Sequence, residues 1–313
     1  MRNVLVSLLL LGVPAAASAQ FDIPLQRTLI GEAVDIIQPR FGIALSGGNP
    51  LPGAASTLGM RLGKVPRVSV ALRGTATNAE MPSIRRRSDS GEVDFLLKSV
   101  NVDAAVGVFS GFGLLPTVGG FGSIDVIASA GALFIPDEGG FREDTKKSWA
   151  IGTRVGILRE SFTLPGLAVT GMYRRIGDIQ FGDLDLTQTD AAFTMDDLSA
   201  LSVRGTVGKK LFGIGAVAGI GFDRYSSDTE LRHMALEPDD ETLVPVTWKR
   251  RSFENDRLTF FGNVSYTLLV LSLNGELGWQ NGGDKFGGAL PPGRSIDPEK
   301  SAWYGSLAFR LSI

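Results

Sequence analysis

Cysteine is absent from all 313 residues, and histidine occurs once. No disulfide can staple this fold, and thiol catalysis and Cys-based metal sites are excluded. The lone His233 has no second His or Cys with which to build a zinc site. Charge of one sign is also lacking: 31 Lys and Arg stand against 33 Asp and Glu, for a formal net charge of -2. No long one-signed run or aromatic-interleaved basic patch points to nucleic acid. Past residue 20 no stretch approaches the roughly 20 apolar residues that a spanning helix needs. Stability must come from a large core or from a closed hydrogen-bonded sheet.

The first residues read as an export signal. Arg2 gives a positive start, Val4 to Val13 a short apolar core, and Ala17-Ser18-Ala19 a small-residue cleavage site. Residues 1–19 are therefore expected to be a signal peptide, with Gln20 opening the mature chain. A helix is predicted over Asp22 to Gln38, with Asp22 as N-cap, Pro24 near the first turn, and Leu25, Leu29, Ala33 and Ile37 on one face. Pro39 is expected to end it, leaving residues 20–39 as a periplasmic helix, or as a small plug entering the fold that the rest of the chain forms.

From Arg40 onward the hydrophobic period is two. In the last segment Trp303, Gly305, Leu307, Phe309, Leu311 and Ile313 share one face, while Tyr304, Ser306, Ala308, Arg310 and Ser312 share the other. The same split separates Val68, Val70 and Leu72 from Arg67, Ser69, Ala71 and Arg73, and recurs around Val102 and Leu273. Such runs mark about twelve strands: 40–46, 56–63, 66–78, 93–109, 121–135, 148–160, 167–182, 198–210, 213–229, 255–269, 270–283 and 301–313. Most exceed the roughly 9 to 11 residues of a tilted membrane strand. Glycine, at 40 residues, is nearly twice its ordinary share of about 7%. Many glycines lie inside these runs, as a curved wall allows.

The connections alternate in kind. Those at 63–66, 110–120, 161–166, 210–213 and 269–271 are mostly short; those at 47–55, 79–92, 136–147, 183–197, 230–254 and 284–300 are longer and polar. An all-β, antiparallel up-and-down transmembrane barrel over residues 40–313 explains this sorting, with short turns in the periplasm and long loops outside. The charged residues Arg61, Arg73, Asp103, Asp125, Arg154, Arg174, Arg204, Glu276 and Arg310 fall on the parity opposite the apolar face, so they are expected to line the lumen. Lys98 and Arg175 fall on the apolar parity and need an interfacial position. Phe41, Phe109, Phe134, Trp149, Tyr173, Trp279 and Trp303 stand where interfacial anchors belong.

The C-terminal segment resembles the terminal strand of bacterial outer-membrane β-barrel proteins. Trp303, Leu307, Phe309, Leu311 and Ile313 carry the resemblance, although Ile ends the chain where Phe is common in that family. It implies residence in the outer membrane, recognition by the barrel assembly machinery, and contact with lipid and lipopolysaccharide. Outer-membrane phospholipases of about twelve strands pair a Ser with a His, but the Met234-Ala235-Leu236 that comes after His233 offers no such motif. Loop carboxylates such as Asp137, Glu138, Glu143, Asp144, Asp196, Asp197, Glu237, Asp239, Asp240 and Glu241 offer oxygen ligands for divalent cations or are ordinary solvated loop charge, and their spacing matches no EF-hand loop. No enzyme, cofactor or metal is expected.

Two functions remain open. One is a porin-like channel for a small solute, selected by an Arg-biased lumen, with hydrophobic-solute uptake resembling the fatty-acid transporter class as a variant. The other is a non-transporting barrel with a filled interior that acts through its outer loops.

Overall fold

The computed structural model describes residues 16–61, 65–86, 91–113, 119–137, 140–142, 144–236, 242–283 and 299–313. One helix, α1 (Ala16–Ser46), precedes thirteen strands among them: β1 (Met60–Arg61), β2 (Val65–Pro66), β3 (Val68–Pro82), β4 (Glu92–Phe109), β5 (Ile124–Ile135), β6 (Asp144–Leu158), β7 (Gly166–Ile176), β8 (Ile179–Phe181), β9 (Ala191–Leu211), β10 (Ile214–Leu236), β11 (Leu243–Leu268), β12 (Leu271–Gln280) and β13 (Ala302–Ser312). Ten of them close a barrel in the order β3-β4-β5-β6-β7-β9-β10-β11-β12-β13, with β13 returning to β3. β8 adds to the extension of β9, and β1 with β2 makes a separate two-residue ladder.

Register follows from the alternation. Leu72 stands opposite Val102 on one side and Phe309 on the other, and Leu273 stands opposite Phe309. Because a one-residue slip would turn every side chain to the other face, these matched pairs fix the ladder. The outward row is apolar and exposed around the wall, from Leu72 and Val102 through Ile151, Leu201, Ile220 and Val264 to Leu273, Leu277 and Leu307. With every wall strand paired on both sides and a greasy exterior, the fold is a transmembrane β-barrel.

Trp303 lies opposite Trp279, which lies opposite Phe260; Phe134 lies opposite Lys98, and Trp149 opposite Arg175. Ring contacts of 5.9 Å join Phe260 to Trp279 and Trp149 to Tyr173. Lys98 and Arg175 thus sit in this aromatic girdle, and Arg175 is ion-paired with Asp197. The interfacial position that their parity demands is met.

The ten wall strands correspond to ten of the twelve segments read from the sequence. Residues 40–46 do not form a strand: α1 continues through Pro39 to Ser46. A helix-interior proline costs about 3 kcal/mol, yet Phe41, Ile43 and Leu45 beyond it are fully buried. Each such side chain contributes roughly 1.5 to 3 kcal/mol, so packing outweighs the proline. Within 56–63 only Met60–Arg61 is extended into a ladder. The wall therefore starts at Val68 rather than Arg40, and residues 47–55 are not an outer loop.

The helix is not beneath the barrel but inside it. Ile30, Val34, Ile37 and Phe41 pack against Met81, Phe95, Leu133, Phe181, Phe193 and Leu231, side chains near the long-connection ends of the wall. Further along, the Ala44 carbonyl meets Ser99, and Gly59 lies against Gly107 near the short-turn end. The chain thus enters by the long-connection mouth, descends the lumen, and leaves by the opposite mouth to start β3.

Close approach of helix and wall requires glycine at Gly42, where a Cβ would fall 2.0 Å from the buried Tyr225 ring. Gly42→Val is expected to lower thermal stability by about 1 to 3 kcal/mol while the far-UV strand signal persists. An unchanged melting temperature would show that the helix does not pack on Tyr225.

Candidate functional site

The candidate site is the lumen, where α1 and the segment after it meet the inward parity of the wall. A helix leaves its last carbonyls without intrahelical donors. Gly47 N–H returns to the Ile43 carbonyl at 2.8 Å, and Ser99 Oγ donates to that of Ala44 at 2.6 Å. Arginines take carbonyls at and just past the helix end: Arg204 donates to Ser46 O (3.3 Å) and Gly48 O (3.4 Å), and Arg73 donates to Gly47 O at 2.8 Å. Cations at this end also oppose the partial negative charge of the helix terminus.

Below the helix, Arg154 donates to Asn49 Oδ1 (2.5 Å), Ala54 O (3.2 Å) and Thr170 Oγ1 (3.0 Å). Arg310 donates to Pro52 O. Acids of the wall accept from the same segment: Glu276 takes Asn49 N–H at 3.0 Å, and Asp125 takes Leu58 N–H at 2.8 Å. Carboxylates brace two of the arginines, Asp103 beside Arg73 at 3.2 Å and Asp223 beside Arg204 at 2.8 Å. Arg174 instead donates to Asn101, Ser148 and Ser129.

Of the residues expected in the lumen, Arg73, Asp103, Asp125, Arg154, Arg174, Arg204, Glu276 and Arg310 are all there and buried. The Arg61 side chain lies outside the described residues. So do residues 1–15 of the expected signal peptide, along with Glu138, Glu143, Glu237, Asp239, Asp240 and Glu241. The outward C-terminal row of Trp303, Leu307, Phe309, Leu311 and Ile313 is exposed, as its parity requires. The gap beside Arg73, Arg174 and Arg204 is about 10 Å³, near the least space that holds one water.

His233 falls within the 230–254 connection expected from the sequence, and the structure overturns that placement. It belongs to β10 rather than to a solvated loop, it is fully buried, and its ring lies parallel to Trp248 with centroids 6.3 Å apart. The β10–β11 pairing continues to Leu236 and Leu243, beyond the apolar belt, where the outward faces become polar and resemble loop sequence. Sequence reasoning also missed Asp223, Gln38 and Asn49. Asp223 accepts from Ser202 and Thr259 as well as Arg204, while Gln38 ties α1 to Ser227 and Asn255. The inward parity of β10 could have revealed Asp223. Among the described residues no group of three or more His, Asp or Glu is arranged to hold a metal ion.

No protein-family model matches the chain, and no curated protein matches it. Among solved structures it is similar to the translocator domain of the autotransporter NalP from Neisseria meningitidis, at 11% identity and a TM-score of 0.43 over 90% of this chain and 96% of that one. It is also similar to the transport unit of the autotransporter AIDA-I from Escherichia coli, at 8% identity and a TM-score of 0.40 over 90% and 99%. The outer membrane protease OmpT from Escherichia coli matches at 9% identity and a TM-score of 0.40 over 83% and 100%. The chain's own topology and greasy exterior make it an outer-membrane-type β-barrel.

Nearer the long-connection mouth, Glu32 is 2% exposed, and neither carboxylate oxygen has a hydrogen-bond partner. Its neighbour Gly31 lies against Phe253, beyond the outward Arg224–Asp256 pair and so above the apolar belt. Burial, and then the charge of Asp35, push the Glu32 carboxyl up from 4.5 to about 7. The seated helix therefore binds this proton more tightly than a released one. Its stabilising effect is full below pH 4.5 and is lost as pH rises through about 7. Protease resistance of the N-terminal segment is expected to fall between pH 5 and pH 8, and Glu32→Gln should remove most of that fall. An equal fall in the variant would exonerate Glu32.

Proposed function

We propose that this protein is an exported outer-membrane barrel that its own N-terminal segment keeps closed at rest, and that it acts at the outer face through that segment and the long connections. The observation that carries this reading is the use made of the lumen arginines. Arg73, Arg154, Arg204 and Arg310 all donate to the backbone or to Asn49 of the segment that fills the lumen. A selectivity filter needs its cations free to meet a passing anion. Here they hold a stopper.

Export through residues 1–19, assembly through the outward C-terminal row, and contact with lipopolysaccharide at the outer girdle belong to the same reading. No catalytic role is assigned. A gated channel for a small anionic solute is the second reading; the arginine bias favours it, because the same side chains would line the path once the stopper moved.

In planar bilayers the wild-type protein is expected to show no regular conductance steps. Arg73→Ala combined with Arg204→Ala should produce intermittent steps, because the orphaned helix carbonyls lose their donors. Large, steady anion-selective steps from the wild type would sink the stoppered reading in favour of the open pore.

Orientation gives an independent test. With short turns in the periplasm, α1 enters from outside, so an epitope inserted after Gln20 should be accessible to antibody on intact cells. Access only after permeabilisation would reverse the assignment of the two faces.

A further inference from the structure

The filling segment stops short of the short-turn mouth and leaves a cavity of about 600 Å³ beside Ser56 and Thr57. Three cations, Arg67, Arg159 and Lys210, line it with a single acid, Glu160. These cations differ from those deeper in the lumen in having few partners. The Lys210 ammonium and the Ser56 hydroxyl make no hydrogen bond among the described residues, and Arg67 makes only a 3.4 Å contact with Leu58 O. Arg159 commits one nitrogen to Ser110 O at 2.8 Å. Glu160, which accepts the backbone N–H of Lys210 and whose charge also acts on the Lys210 ammonium, is one acid against three cations and cannot neutralise them all.

Beside this charge the rim is apolar. Phe162 is 83% exposed and Phe212 is 96% exposed, and both line the cavity. Phe212 also holds a φ of +51°, a conformation that Gly or Asn adopts cheaply and a bulky side chain does not. A large apolar group is retained there at a cost in backbone strain. Leu269, 91% exposed with a φ of +56°, does the same in the adjacent turn.

We propose that the short-turn mouth binds an amphiphilic monoanion, a carboxylate or phosphate head on an apolar body. The head meets Lys210, Arg67 and the Ser56 hydroxyl, where charge-assisted hydrogen bonds are strong. The body covers Phe162 and Phe212. This binding does not rest on stopper movement: the Arg159 and Lys210 side chains make no hydrogen bond to the filling segment, and Arg67 meets only its last carbonyl, Leu58 O, at 3.4 Å.

The test is calorimetry on the full-length protein in zwitterionic lipid nanodiscs, with octanoate, octyl phosphate, acetate, inorganic phosphate and octanol as probes. Octanoate and octyl phosphate should bind saturably. Acetate, inorganic phosphate and octanol should be at least about tenfold weaker, as the loss of either the head or the tail contacts implies. Arg67→Gln with Lys210→Gln should weaken octanoate about tenfold, and the charge-preserving pair Arg67→Lys with Lys210→Arg should restore it. Phe212→Ser should weaken octanoate while leaving acetate unchanged. Competition by phosphatidylglycerol in the disc would assign the site to a lipid headgroup, and its absence to a soluble anion. Absence of saturable heat with both amphiphiles, or equal affinity in the charge-removed pair, overturns the proposal. Heat-modifiable gel mobility verifies that each variant is a folded barrel.

Discussion

A helix that ends inside a barrel brings unpaired carbonyls into a space where bulk water cannot reach them. A buried polar group left without a partner costs roughly 1 to 3 kcal/mol, and the last turn of α1 would present several. The wall answers with guanidinium groups, which supply five donors in a planar fork and stay charged under almost any conditions. Once Arg73 and Arg204 are committed there, their own charge has to be compensated, and Asp103 and Asp223 stand within 3.2 Å and 2.8 Å to do so. Among the described residues of the wall, five buried arginines, 73, 154, 174, 204 and 310, face four buried acids, 103, 125, 223 and 276. The surplus of one cation is met by carbonyl dipoles of the filling segment. The arginine bias is thus the electrostatic complement of a backbone, and it needs no passing solute to account for it.

The same constraint shapes the wall. Large polar side chains can lie flat inside a ten-stranded barrel only if neighbouring positions give up volume. A Cβ at Gly221 would fall 2.4 Å from Arg204, and one at Gly131 would fall 2.2 Å from Asn101. Glycine in these strands therefore makes room for the seat as well as allowing curvature. The outer parity is under an unrelated demand, from hydrocarbon, and the two demands never compete because alternate residues serve them. That independence lets the greasy row of β13 sit back to back with Arg310.

This division also explains what is legible in the sequence. Where a strand faces lipid on one side and a polar filling on the other, period two is strong, and all ten wall strands carry it. Phe41-Gly42-Ile43-Ala44-Leu45 reads as a strand because a helix buried on all sides has no polar face to betray its period, and because Pro39 looks like a terminator. Beyond the girdle the outward parity of β10 and β11 becomes polar, so His233 and Trp248 read as loop. Parity identifies the lumen residues but not their role. It says which way a side chain points, whereas the occupant of the lumen comes from a distant segment of the chain, 26 residues from Arg73 to Gly47 and 105 from Arg154 to Asn49.

The stopper is held differently along its length, and this bears on how it could move. Toward the outer mouth it is held mainly by apolar contacts of Ile30, Val34, Ile37 and Phe41, which lack direction and tolerate sliding or rotation in small steps, with the bonds of Gln38 to Ser227 and Asn255 and of Arg40 to the Lys300 carbonyl as its few directional ties. From Ser46 to Leu58 it is held by directional bonds to charged groups, each worth roughly 1.5 to 3 kcal/mol net, and sliding breaks them together. The inner part is therefore the barrier and the outer part the bearing. Turning such an equilibrium from mostly closed to mostly open takes a differential binding energy of about 5.5 kcal/mol, which is about what two to four of these bonds supply together. An opener acting only at the outer mouth would loosen the bearing and leave the barrier standing. An effective one has to substitute for the carbonyls at Arg73, Arg154 and Arg204, which makes an anion with several acceptor oxygens the chemistry best matched to the lock.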